Sequence, residues 1–170
     1  HVYRVRELAE PVPPLTAAGP AIVTPRVWRA RLGRQVGAER LAGGLFMPYP
    51  TPGCDVAVVN RTLLRDLDRD PGSRGAVIIT PACRRAQVEA LLAHPQVVGF
   101  KPYHVFATGR DTRQARMRDF VPELAWELAQ ERGLVIVLHL VRHAAWADPD
   151  NQRTLLGWLE RYPNARVQMA

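Results

Sequence analysis

Gly133-Leu134-Val135-Ile136-Val137-Leu138-His139 decides the fold. Five consecutive branched apolar residues, entered through a helix-stopping glycine and closed by an imidazole, predict a strand over residues 134–139. An uninterrupted apolar run has no face left for water, so such a strand belongs to a parallel sheet covered by helices on both sides. Upstream, the pattern predicts a helix opened by Asp119, with Pro122 in its first turn, and ended by Gly133. Downstream, a helix over residues 150–162 leads through the turn Pro163-Asn164 to a further strand over 165–169.

The same alternation runs back toward the amino terminus. Residues 97–101 predict a strand, as do 76–80, a β-branched run bounded by Gly75 and Pro81, and 41–47, closed by Pro48-Tyr49-Pro50-Thr51-Pro52-Gly53. Between them, Val56, Val59, Leu63 and Leu67 share one helical face, and Val88, Leu91 and Leu92 share another. Thr24 and Pro25 read as the cap and first residue of a helix carrying Trp28, Leu32 and Val36, after a proline-rich opening loop. Five strands with their helices leave two architectures. One is a (β/α)8 TIM barrel entered part-way and left part-way, since the last strand stops at Ala170. The other is a five-stranded doubly wound domain, against which stands the absence of a glycine-rich phosphate turn after the first strand. The expectation is a partial barrel, with residues 1–170 one incomplete domain.

Composition excludes several classes. With 47% hydrophobic and 23% charged residues, the chain is neither disordered nor fibrous. No apolar run nears the ~20 residues that cross a bilayer, so no membrane partner is expected, and the charged opening residues do not resemble a signal peptide. Cys54 and Cys83 form neither a CxxC pair nor a disulfide framework, which favours a cytoplasmic setting. The net charge is +7, yet the basic residues are spread through every segment and mixed with 16 acidic ones, so a nucleic-acid partner is not expected. Only one of the 23 basic residues is a lysine, Lys101, in Gly99-Phe100-Lys101-Pro102-Tyr103. A primary amine retained alone in an arginine-rich chain suggests a task that a guanidinium cannot perform.

In parallel architectures chemistry sits at the carboxyl ends of the strands. Those positions hold Lys101, Tyr103 and His104 after one strand, and His139, Arg142 and His143 after another. His139 directly follows a rigid strand, where a neutral imidazole makes a good zinc or manganese ligand, the alternative being a histidine hydrogen-bonded within the mouth without metal. Arg142 and the arginine-rich loop over residues 110–118 suggest an anionic small-molecule substrate.

Val98-Gly99-Phe100-Lys101-Pro102-Tyr103, the run from Glu127 to Leu140, and the run from Asn151 to Val167 together resemble the amidohydrolase-related family of metal-dependent TIM-barrel hydrolases. The resemblance implies a barrel of which this chain covers about strands 2 to 6. It implies a divalent metal, zinc or manganese, with His139 as the strand 5 ligand, Lys101 at the strand 4 position as a carboxylated bridging ligand, and His1 as the second histidine of a strand 1 pair. Tyr103, His104 and Arg142 would then face substrate, while a further histidine and the acid/base aspartate are expected beyond Ala170. The implied reaction is attack of metal-activated water on an amide, lactone or related carbonyl compound. A nonoxidative decarboxylase and a noncatalytic segment are the alternatives. The outer strands of an unclosed sheet would offer free edges, so association into a homo-oligomer is expected as well.

Overall fold

A computed structural model describes residues 1–9, 14–109, 111–142 and 144–170. Seven strands occur among them: β1 (Tyr3–Arg4), β2 (Ile22–Val23), β3 (Leu45–Phe46), β4 (Arg74–Ile78), β5 (Val97–Lys101), β6 (Val135–Leu138) and β7 (Arg166–Met169). The helices are α1 (Pro14–Ala17), α2 (Pro25–Val36), α3 (Val56–Leu67), α4 (Arg85–Leu92), α5 (Met117–Phe120), α6 (Glu123–Arg132) and α7 (Pro149–Arg161), joined by short 3-10 turns.

Strands β3 to β7 form one sheet in the order β3-β4-β5-β6-β7, every neighbouring pair parallel. Each strand lies beside its predecessor in the chain, so the order never reverses and the doubly wound alternative is excluded. The expected partial (β/α)8 TIM barrel is corrected too. The sheet is an open, five-stranded half-barrel, and beside it β1 and β2 pair antiparallel as a separate two-stranded ribbon. Closure is a matter of geometry: a barrel needs every strand hydrogen-bonded on both sides, whereas β7 pairs only with β6. On the β3 side, Val2 makes a one-residue parallel bridge to Pro48.

The core lies between the sheet and its helices. Phe100, Ile136 and Leu138 of the strands meet Leu63, Leu67, Trp126 and Leu128 of α3 and α6. Thr24 caps α2 by accepting from the Val27 amide at 3.3 Å, as the sequence suggests. Two expected boundaries move. Pro122 holds the preceding Val121 extended (φ −100°, ψ 102°), which splits the expected helix into α5 and α6. Asp119 therefore accepts from the Arg116 amide at 2.8 Å within α5 and does not open α6. Helix α7 is capped two residues before its expected start, by Asp148, whose carboxylate accepts from the amides of Asp150 and Asn151 at 2.9 and 3.1 Å.

The predicted strand over residues 41–47 shrinks to Leu45–Phe46. A side chain on Gly43 would collide with the Gly72 carbonyl, so residues before β3 run tightly past the turn that precedes β4. Of the four tryptophans, Trp126 is fully buried, while Trp146 is 51% exposed. No helix among the described residues is long and apolar enough to cross a membrane.

Candidate active site

Because all five sheet strands run parallel, their carboxyl ends share one mouth. Lys101 is the last residue of β5, and His139 follows β6 directly. The ladder fixes their spacing, pairing Gly99 with Val135 and Phe100 with Ile136. Tyr103 and His104 follow β5 after Pro102, which is itself buried.

The structure brings these groups together. The Lys101 Nζ lies 5.3 Å from the centroid of the Tyr103 ring. Ring centroids of Tyr103 and His139 are 5.0 Å apart, those of Tyr103 and His104 4.7 Å, and those of His104 and His139 5.9 Å. The His104 Nδ1 is held at 3.0 Å from the Thr112 carbonyl oxygen, which ties this ring to the following loop.

Lys101 is only 2% exposed. Among the described residues no carboxylate pairs with it and no hydrogen bond engages its Nζ, so burial alone pushes its ammonium down to about 8. Burial also lowers His139, with the Lys101 charge and His104 adding to the effect. His104 is lowered by burial, against which its bond to the Thr112 carbonyl works, and the Arg113 charge lowers it further. The Tyr103 phenol is raised by burial and then by Tyr49. Among the described residues the mouth is thus rich in donors with no carboxylate paired to them, a setting that suits an anion.

Other expected residues sit differently. Arg142 adopts a positive φ of 76°, and its guanidinium is shared between Asp148 at 3.3 Å and Asp150 at 3.1 Å. Its backbone amide donates to the Arg113 carbonyl at 2.8 Å, so Arg142 joins the loop after β6 to the start of α7 and to the 111–118 loop. His143 and Arg110 lie outside the described residues. His94 pairs with Asp68 at 3.0 Å at the far end of the sheet, where it fastens a turn.

His1 reaches the mouth through Tyr49, its ring 5.3 Å from the Tyr49 ring. In the sequence Tyr49 is part of the turn from Pro48 to Gly53 that closes a predicted strand, and nothing in the local pattern marks its ring for the mouth.

For a divalent metal, the donors fit in kind and fall short in number. His139 and Lys101 offer an imidazole and an amine without an acidic partner, and His1 lies at the same mouth. Among the described residues, however, no three His, Cys, Asp or Glu side chains are grouped to hold an ion. A cavity of about 530 Å³ lies against the carboxyl end of α3 and includes Asp66 and Asp70. Both carboxylates are already engaged, by Arg4 at 2.7 Å and by Arg29 at 2.8 Å, so this cavity is an ion-paired seam.

The fold and mouth define an α/β half-barrel with a donor-lined site at the carboxyl ends of its strands. No protein-family profile matches the chain, and no curated protein matches it. Among solved structures it is similar to a probable 2-pyrone-4,6-dicarboxylic acid hydrolase from Acinetobacter baumannii, crystallised with citric acid bound. The TM-score is 0.64 at 15% sequence identity, over 99% of this chain and 55% of the other. The chain therefore spans about half the length of that protein, and at this identity the likeness is one of fold.

Proposed function

We propose that the protein is a hydrolase related to the amidohydrolase superfamily, acting on a small anionic carbonyl compound, with a carboxylated lactone as the leading class. The observation that carries this reading is Lys101: a buried amine with no acid among the described residues to neutralise it, beside a phenol and two imidazoles. The fold neighbour, named as a hydrolase of a pyrone dicarboxylic acid, supports it.

In this reading the Lys101 ammonium takes the negative charge of the substrate and Tyr103 donates beside it. His139, on its rigid strand end, accepts a proton from the attacking water. The water oxygen bonds to the carbonyl carbon, the ester C–O bond breaks, and the departing oxygen leaves with a proton. His104, tethered through its Nδ1, fixes the position of the His139 ring by stacking. A metal-dependent form of the site is a separate reading, in which Lys101 would be carboxylated and would hold zinc or manganese together with His139 and His1, the ion supplying an acidified water and a polarised carbonyl in place of the ammonium and the free imidazole.

The test is turnover by the purified protein of lactones and amides that carry a free carboxylate, against their methyl esters. We expect hydrolysis of the free acids only, with Lys101→Met lowering kcat/KM by roughly a hundredfold, the scale of losing a charged contact in a dry site. Equal turnover of acids and esters, or full activity in Lys101→Met, would overturn the reading. Metal dependence has its own test in elemental analysis. About one ion per chain, lost in His139→Ala, would support it, whereas an active protein free of metal would refute it.

A further inference from the structure

Helix α7 carries a basic groove to which none of the mouth residues contributes. Arg153, Gly157 and Arg161 recur at steps of four, so they share one face of the helix. Arg118 of α5 stands beside that face, its Nη2 3.4 Å from the Thr154 Oγ1. Together with Trp158 these residues line a groove of about 440 Å³, within the size range of small-ligand clefts. No carboxylate is among the lining residues, in contrast to the cavity that includes Asp66 and Asp70. A side chain built on Gly157 would meet nothing within 4 Å, so the groove is open where the helix has no side chain.

Its three guanidinium groups are compensated unequally. The Arg161 Nη1 lies 2.7 Å from the Glu123 Oε1, and its guanidinium carbon lies 5.9 and 5.4 Å from the ring centroids of Trp158 and Tyr162. These contacts fix Arg161 at one end of the groove. Arg153 reaches only Asp150, at 3.7 Å, and that carboxylate is already shared with Arg142 at 3.1 Å. Arg118 has a hydroxyl for its neighbour, and among the described residues no carboxylate pairs with it. Two cations without a full counter-charge of their own therefore line one groove with a third, and an entering anion relieves their mutual repulsion. From Arg153 to Arg161 the helix rises roughly 12 Å, a length that a short chain of phosphoryl groups can follow and a single one cannot. Guanidinium groups match phosphoryl oxygens in geometry as well as in charge.

We propose that this groove binds a small polyphosphate anion, either the phosphate chain of a nucleoside triphosphate or the free inorganic chain, held by Arg118 and Arg153 with Arg161 at its far end. The proposal is independent of the hydrolase reading, since it uses no residue of the mouth.

Inorganic tripolyphosphate, ATP and orthophosphate are the probes, titrated by calorimetry at one fixed ionic strength into wild type, Arg118→Gln, Arg153→Gln, Gly157→Leu and Arg26→Gln. Gly157→Leu keeps the net charge and fills the groove, whereas Arg26→Gln removes one exposed charge from outside it. An unchanged melting profile verifies the fold of each variant. Tripolyphosphate and ATP are expected to bind wild type and Arg26→Gln alike, and to bind the three groove variants roughly tenfold or more weakly, the scale of one hydrogen bond to a charged group. Orthophosphate is expected to bind wild type more weakly than either. Tighter binding of ATP than of tripolyphosphate would identify a nucleotide, and equal binding the bare chain; both support the groove. No binding of either chain by wild type, unchanged affinity in a folded Gly157→Leu, or equal weakening in Arg26→Gln would overturn it. Tighter binding of a single-stranded DNA decamer than of either chain would overturn it in favour of a nucleic-acid surface.

Discussion

A lysine that is 2% exposed, with no carboxylate beside it among the described residues, keeps its charge at a cost to the fold. Its ammonium falls from 10.5 to about 8 through burial, so at neutral pH the folded protein holds a proton that the site disfavours. Below about 8 this lowers stability by up to roughly 3 kcal/mol, the free energy of the shift. Between about 8 and 10.5 the folded state has released the proton and the unfolded chain still binds it, so stability rises with pH across that window. Urea denaturation at pH 7 should therefore find Lys101→Met more stable than wild type, with the difference shrinking at pH 10. A Lys101→Met protein that is less stable at pH 7 would show that Lys101 has a stabilising partner. Together with the activity loss expected of the same substitution, this makes Lys101 a residue where binding and stability pull in opposite directions.

The mouth depends on how closely β5 approaches β6. A side chain on Gly99 would run into the Val135 carbonyl and lie 2.6 Å from the Val135 Cγ1, so only glycine lets the two strands pair in this register. Gly99→Ala is expected to lose several kcal/mol of stability and to move Lys101 away from His139. Gly157→Ala, on the open face of α7 where nothing lies within 4 Å, is expected to gain about 1 kcal/mol. Thermal melts of the two variants check both signs. The same contrast explains what the sequence makes legible. Strand β6 is readable because burial on both faces leaves an unbroken apolar run, and His139 and Lys101 are readable because they end such runs. The shortness of β3 comes from the passage of Gly43 beside Gly72, whereas the split between α5 and α6 is the local effect of Pro122 on Val121, masked in the sequence by the helical period on either side. Tyr49 is illegible because its place depends on the bridge from Val2. Local pattern carries the elements; contacts across the chain carry the limit of β3 and the place of Tyr49.

Taken whole, the molecule has two unlike sheet edges. Beside β3 the outer position is partly taken by Val2, whereas β7 bonds only to β6. Along β7, Arg166, Gln168 and Met169 are exposed, Met169 by 47%. The Ala170 amide donates inward to the Leu138 carbonyl at 2.9 Å, so by alternation the amides of Val167 and Met169 point outward without a partner strand. An edge of this kind recruits a second strand, and another copy of this chain is the nearest source. A net charge of +7 opposes that encounter, because two copies repel over about a Debye length, roughly 10 Å at 0.1 M salt. The balance predicts self-association of the 170-residue chain that strengthens with protein concentration and with added salt, the reverse of an assembly held by ion pairs. Met169→Lys places a charge on the edge and should shift the population toward monomer. Sedimentation velocity across a tenfold concentration range at low and high salt measures this directly. A single monomeric boundary under all of these conditions would show that charge and the twist of β7 already protect the edge.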